Sequence, residues 1–321
     1  MIAPIIRIAV AALLVVSGCT PAFCWGDEAH KIVALLAINI LQSDSLPTLD
    51  KINGMLGPDD NRYGSSSLTD EALWADRYRD RNPEGRKITE SWHDLALDYD
   101  NPNLAKACEH PEFEGLASQG PSPDCIVDKI EQFRKELADK SADPDERLLA
   151  LKYLLHLVAD LHQPLNVIAR TDPETGKSDF GGQCIGIVVT KAAPVRLRSH
   201  WDTTLVEKAL GKGADEAADH LERLATTANK RKWSTGSVAD WANESYKVAK
   251  ASIYAGVIDH PPEKTTYTFR ERDGKPDPRC GGPSKLYKID ASYDERAKEI
   301  VKEQLAKAGV RLAKVLKDAL K

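Results

Sequence analysis

The chain has 321 residues, 29% of them charged, and a formal charge of −5. That balance excludes the broad basic face of a duplex-DNA binder, so an anionic substrate must find its positive charge locally, in a few arginines or in bound metal ions. Beyond residue 24 the chain is long enough to bury a substantial core, as one large domain or two smaller ones.

Residues 1–24 carry one basic residue, Arg7, then an apolar run over 8–16 and a region of small residues. The apolar run is too short to span a bilayer and predicts a secretory signal peptide. Ala22-Phe23-Cys24 reads as a signal-peptidase site that would leave Trp25 first, whereas Val16-Ser17-Gly18-Cys19 reads as a lipoprotein box that would lipidate Cys19. Both place the protein in the periplasm or outside the cell, and no later run is long and apolar enough to cross a membrane. Cys108, Cys125, Cys184 and Cys280 remain after the leader. An even count in an oxidising compartment predicts two disulfides, in one of three pairings. With no close CxxC pair, a thiolate zinc site is not expected.

Apolar periodicity predicts helices over 28–42, 70–80, 126–140, 145–162, 199–209, 214–229, 238–255 and 290–319. Strand signal is weak. The best β-rich run is 185–190, which fits a short hairpin. The stretches 98–124 and 258–287 are rich in Pro, Gly and charge, and each holds a cysteine, as expected of loops pinned by disulfides. No repeat or linker interrupts the pattern, so 25–321 reads as a single-domain, all-α, multi-helix bundle.

Ligand-type residues recur along these elements. Trp25-Gly26-Asp27-Glu28-Ala29-His30 sets a histidine close to the new N-terminus, whose free amine can also bind zinc once deprotonated. Trp74-Ala75-Asp76 is followed one turn later by Arg79, and Trp92-His93-Asp94 is followed by Asp98. His156 and Asp160 lie four apart, on one face of a helix, and His200-Trp201-Asp202 opens another. Each alone has an ordinary reading: an N-cap aspartate, an exposed histidine, a core tryptophan or an internal hydrogen bond. Their combination in an exported helical chain predicts a polynuclear metal site.

With Asp179-Phe180-Gly181-Gly182, Trp241-Ala242-Asn243-Glu244-Ser245 and the terminal Gln304-Leu305-Ala306-Lys307-Ala308-Gly309, these motifs resemble the zinc-dependent phospholipase C and nuclease superfamily, specifically its S1/P1 single-strand nuclease type. The resemblance implies an all-α fold and phosphodiester hydrolysis by a zinc cluster. Asp76, His93, His156 and Asp160 would hold one ion, and the Trp25 amine and carbonyl, His30 and a bridging Asp160 its close partner. A water shared by the two would become the hydroxide that attacks phosphorus, while Arg79 steadies the phosphate charge and Asp98 orients the water. Cleavage before Trp25 is therefore preferred, because lipidation at Cys19 would lock that amine in a peptide bond.

The resemblance breaks at the third ion. Its ligands in the family correspond to Asn166, Arg198 and Asp202, so two imidazoles are missing and a guanidinium without a lone pair replaces one. Two ions are expected, with the third site short of ligands. Arg198 either pairs with Asp202 across a dead site or stands in for the ion by gripping phosphate. Asn101 and Phe180 stand where basic residues are common, and Gln183 where Asn is usual. The expected function is an exported, monomeric endonuclease on single-stranded DNA or RNA, or on 3′-nucleotides, giving 5′-phosphate products. The rivals are a phospholipase-C-like activity and a degenerate relative that binds metal without turnover.

Overall fold

The computed structural model describes residues 25–56, 64, 65, 67–108, 115–122, 124–189, 193–271 and 273–321. The leader and both cleavage readings lie outside them. A helix runs Asp27–Asp44, with Asp27 and Glu28 in its first turn, where acidic side chains favour the exposed amides. Its apolar stripe, including Ile32, Val33, Leu36 and Ile40, is buried against the terminal helix Ala291–Ala319. Contact there is close enough to need a glycine: a Cβ on Gly309 would fall 2.6 Å from Leu36 Cδ2.

The Pro144–Leu161 helix is the centre of the molecule. Asp143 caps it, accepting from the Asp145 amide, and Pro144 supplies a pre-set first turn. Every residue from Ala150 to Leu161 is buried, so this helix shows no polar face along its second half. It packs on the Ile126–Ala138 helix and on the terminal helix, within one apolar core that also takes in Trp25, Trp92 and Trp201.

The predicted 70–80 helix is divided into Leu68–Glu71 and Trp74–Arg81. Ala72 lies at the break, where its carbonyl accepts a hydrogen bond from His156 Nδ1 at 2.7 Å. The 214–229 helix is also two, Ala214–Leu224 and Thr227–Trp233, because Thr226 leaves helical geometry to cap the second. The 199–209 segment begins at Leu197 and carries a π-helical turn over His200–Thr204. A second π-helical turn, Ala249–Tyr254, extends Val238–Val248 into Ala255–Ile258. Helices Leu46–Leu56 and Pro83–Thr89 were not predicted; in the second, Asn82 is the cap and Pro83 the first residue.

Strands are few. β1 (Leu97–Asp98) pairs in parallel with β2 (Ile168–Ala169). β3 (Gly186–Val189), β4 (Val195–Arg196), β5 (Thr266–Tyr267) and β6 (Ser284–Ile289) form a second sheet in the order β4-β3-β6-β5. β3 and β4 make the expected antiparallel pair, but the longer pairing is parallel, β3 on β6. Disulfides Cys108–Cys125 and Cys184–Cys280 select one of the three pairings and pin both irregular stretches. Among the described residues no helix is long and apolar enough to cross a membrane.

Candidate metal centre

His156 and Asp160, one turn apart on the central helix, bring together residues from three other segments. Asp160 Oδ1 lies 3.1 Å from His30 Nε2, and its Oδ2 lies 3.0 Å from both His93 Nδ1 and His156 Nε2. Asp76 adds Oδ1 at 3.3 Å from His156 Nε2 and 3.6 Å from His93 Nδ1. The His30 and His156 rings stack in parallel with centroids 4.1 Å apart. Two ligand groups result, His30, His156 and Asp160, and Asp76, His93 and His156.

The tautomers follow from the outer contacts. His156 Nδ1–H donates to Ala72 O at 2.7 Å and His30 Nδ1–H to Gly26 O at 3.3 Å, so both inner nitrogens present lone pairs. Those lone pairs face carboxylate oxygens, an arrangement that repels unless a proton or cation sits between them. Nitrogen and oxygen donors that converge in this way, with their far sides anchored, are a fit for zinc. Cys108, Cys125 and Asp128 also come together, but the two sulfurs are bonded to each other and offer no thiolate.

Arg79 is buried behind Asp76, giving Nη1 to Asp76 Oδ1 at 2.8 Å and Nε to Asp80 Oδ1 at 2.9 Å. Burial works to raise the Asp76 pKa, but Arg79 and His156 outweigh it and hold the carboxyl far below its usual range. Burial, helped by Arg79, lowers His93. Both effects keep these groups in the forms that bind metal.

The predicted third-ion residues meet as a hydrogen-bonded cluster. Arg198 Nη1 donates to Leu165 O at 3.0 Å, its Nη2 donates to Asn166 Oδ1, and its Nε lies 3.8 Å from Asp202 Oδ2. Asp202 Oδ1 accepts from Gln163, and Asn166 Nδ2 donates to Asp160 O at 2.9 Å. A guanidinium already bonded to these acceptors, with no lone pair to give, does not fit a metal. His200 turns away to Asp294 at 2.9 Å. The same π-helical turn receives the first described residues: Gly26 N–H donates to Asp202 O at 3.0 Å, and Trp25 is buried.

Asp98 lies at the end of β1, where its Oδ1 accepts from the amides of Asp100 and Asn101 at 2.9 and 2.7 Å, and it joins neither ligand group. Sequence reasoning gave no role to Gln163 or Asp94. Gln163 stands inside the His156–Asn166 motif and bonds Asp202. Asp94, next to His93, is pushed up to about 6 by burial despite Arg198 nearby.

The S1/P1 nuclease family model matches residues 25–321. The chain is 27% identical to nuclease S1 of Aspergillus oryzae over 304 residues, which covers 90% of this chain and 89% of that one. It is 24% identical to endonuclease 5 of Arabidopsis thaliana, over 92% of this chain and 90% of the relative. Nuclease P1 of Penicillium citrinum is 26% identical over 58% of this chain and 60% of its own. With ligand groups of the expected kind placed by the same motifs, the chain belongs to the S1/P1 nuclease family and is a hydrolase of nucleic-acid phosphodiester bonds.

Proposed function

We propose that residues 25–321, freed from their leader by export, act as one domain that cuts single-stranded DNA or RNA and leaves 5′-phosphate ends, using two zinc ions. The observation that carries this reading is Asp160, whose two oxygens face different histidines: one carboxylate can bridge two ions only a few ångströms apart. Asp76, His93, His156 and Asp160 would hold one ion. His30, Asp160 and the Trp25 terminus would hold the other. When bound, such a pair supplies Lewis acidity and an acidified water.

The protein's own groups do the rest. His156 and His30 are fixed by backbone carbonyls, so ligand geometry is set before substrate arrives. Arg79 keeps Asp76 ionised and adds positive charge at the wall of the centre. Arg198, oriented by Leu165, Asn166 and Asp202, supplies fixed positive charge where the family carries its third ion. Asp98, in its turn after β1, would act only after rotating toward the centre. The formal charge of −5 makes these local cations the means of attracting an anionic strand.

A substrate panel tests the reading. The zinc-loaded protein is offered single-stranded DNA, single-stranded RNA, duplex DNA and phosphatidylcholine micelles, and products are scored for 5′-phosphate. Cleavage of the single strands well ahead of duplex is expected. Turnover of the micelles alone would make it a phospholipase-C-like enzyme, and turnover of none would make it a metal-binding relative without activity.

A further inference from the structure

His30 stands at both ends of a closed ring of contacts. Its Nε2 faces Asp160 Oδ1 at 3.1 Å. The Asp160 carbonyl accepts from Asn166 Nδ2 at 2.9 Å, and Asn166 Oδ1 accepts from Arg198 Nη2. Arg198 Nε lies 3.8 Å from Asp202 Oδ2, one helical turn on. The Asp202 carbonyl accepts from Gly26 N–H at 3.0 Å, and Gly26 O accepts from His30 Nδ1–H at 3.3 Å, which closes the ring.

The π-helical turn His200–Thr204 is the platform of this ring. His200 Nε2 meets Asp294 Oδ1 at 2.9 Å and Trp201 Nε1 donates to Tyr293 Oη at 2.9 Å, so two side chains fasten the turn to the terminal helix. Asp202 Oδ1 accepts from Gln163, while Oδ2 is buried without a hydrogen bond and faces the Arg198 charge. The His-Trp-Asp triplet enters neither ligand group. Gly26 fits the platform closely: a Cβ there would lie 3.0 Å from Thr203 Oγ1 and 3.2 Å from Asp202 O. Its φ of −64° and ψ of 164° suit any residue, so contact and not conformation favours glycine. Trp25, the residue before it, is 1% exposed and therefore seated by the fold.

We infer that Arg198 is a positioning residue for the ion at His30, acting through Asp202 and Gly26. Its bonds to Leu165 and Asn166 and its charge beside Asp202 tie the platform to the end of the central helix. The platform sets where Gly26 lies, and Gly26 sets the His30 ring and the Trp25 terminus against Asp160. This rests on the two-ion reading above and deepens it. A side chain with no lone pair for a metal still governs one ion, because outer partners fix ligand geometry. The Asp76, His93 and His156 group is held from other directions, by Arg79 and by Ala72 O, so the effect is confined to one ion.

The test is a titration with buffered zinc on exported chain that begins at Trp25, with the Trp25 amine followed by acylation and peptide mass mapping. The parent is expected to bind two ions and to protect the amine once both are bound. Arg198→Ala and Gly26→Ala break the ring at different links. Asp202→Asn keeps the side chain's shape while removing the charge that Arg198 faces, and it serves where Arg198→Ala folds poorly. Each variant is expected to weaken one ion about tenfold and leave the other at parent affinity. At zinc levels where that ion is lost, the Trp25 amine should become open to acylation. Because the changes act through one ring, Gly26→Ala combined with Arg198→Ala or Asp202→Asn should lose little more than the larger single loss. Variants equal to the parent, both ions weakened alike, or single losses that multiply in the double variant would each overturn the inference and leave the ion pair standing. A parent that binds fewer than two ions would remove the pair, and the inference with it.

Discussion

At the scale of single residues, Arg198 marks where this chain departs from the sequence pattern it otherwise resembles. It is 4% exposed and lies 3.8 Å from Asp202, whose carboxyl burial pushes up to about 8 against the pull of Arg198. Removing the guanidinium leaves Asp202 buried with a lone glutamine contact. Leu165 O and Asn166 Oδ1 also lose their buried donor, and Arg198→Ala is therefore expected to cost about 1–3 kcal/mol in urea unfolding. Per folded, zinc-loaded molecule it should also lower turnover about a hundredfold, as when one oxyanion donor is lost. Unchanged turnover would show that Arg198 only holds its cluster with Leu165, Asn166 and Asp202 together. Its identity was readable in the sequence, as was its four-residue spacing to Asp202. Its bonds to Leu165 and Asn166 were not, because they join segments 32 and 33 residues apart.

At the scale of elements, the first, central and terminal helices were legible because apolar residues recur along them at helical spacing. The interruptions were not. Ala72 leaves its helix to hold His156, and Thr226 leaves its own to cap the next, and neither residue type announces the change. The side-chain pairs within one helix, Asp76 with Arg79 and His156 with Asp160, followed from spacing alone. Gathering them around Asp160 depends on how the first, central and terminal helices pack. Two variants test that packing. Gly309→Ala improves helix propensity by about 1 kcal/mol. Its new methyl would press on Leu36 Cδ2, Cγ and Cβ, 2.6 to 2.9 Å away, and overpacking of this kind costs about 1–3 kcal/mol. A lower melting temperature is expected, and a higher one would mean the two helices are free to separate.

Glu244, on Val238–Val248, accepts from both Lys307 and Arg311 of the terminal helix. Burial pushes its pKa upward, but these hydrogen bonds outweigh it and bring the carboxyl down to about 2. A depressed carboxyl stabilises the fold fully above its unfolded value of 4.5, and that contribution is lost as pH falls toward 2. The melting-temperature gap between the parent and Glu244→Gln should be constant above about pH 5 and close progressively below it. A gap independent of pH would show that Glu244 acts through packing alone.

At the scale of the whole molecule, an acidic, disulfide-pinned chain without a membrane-spanning helix among its described residues gathers His30, Asp76, His93, His156 and Asp160 into two adjoining groups. Family membership was legible from motifs spread over the matched residues, some supplying the candidate ligand groups and others, such as Glu244 with Lys307, fastening the terminal helix. The departure from the family pattern at Asn166 and Arg198 was legible from the same motifs. What replaces it could be seen only with Asn166, Arg198, Asp202 and Gln163 in contact. The most direct measurement is zinc per chain, by elemental mass spectrometry, on exported protein that begins at Trp25 and is purified without added metal. Two ions per chain are predicted. Three would mean that another group completes the site closed here by Arg198, and one or none would contradict the bridged pair at Asp160.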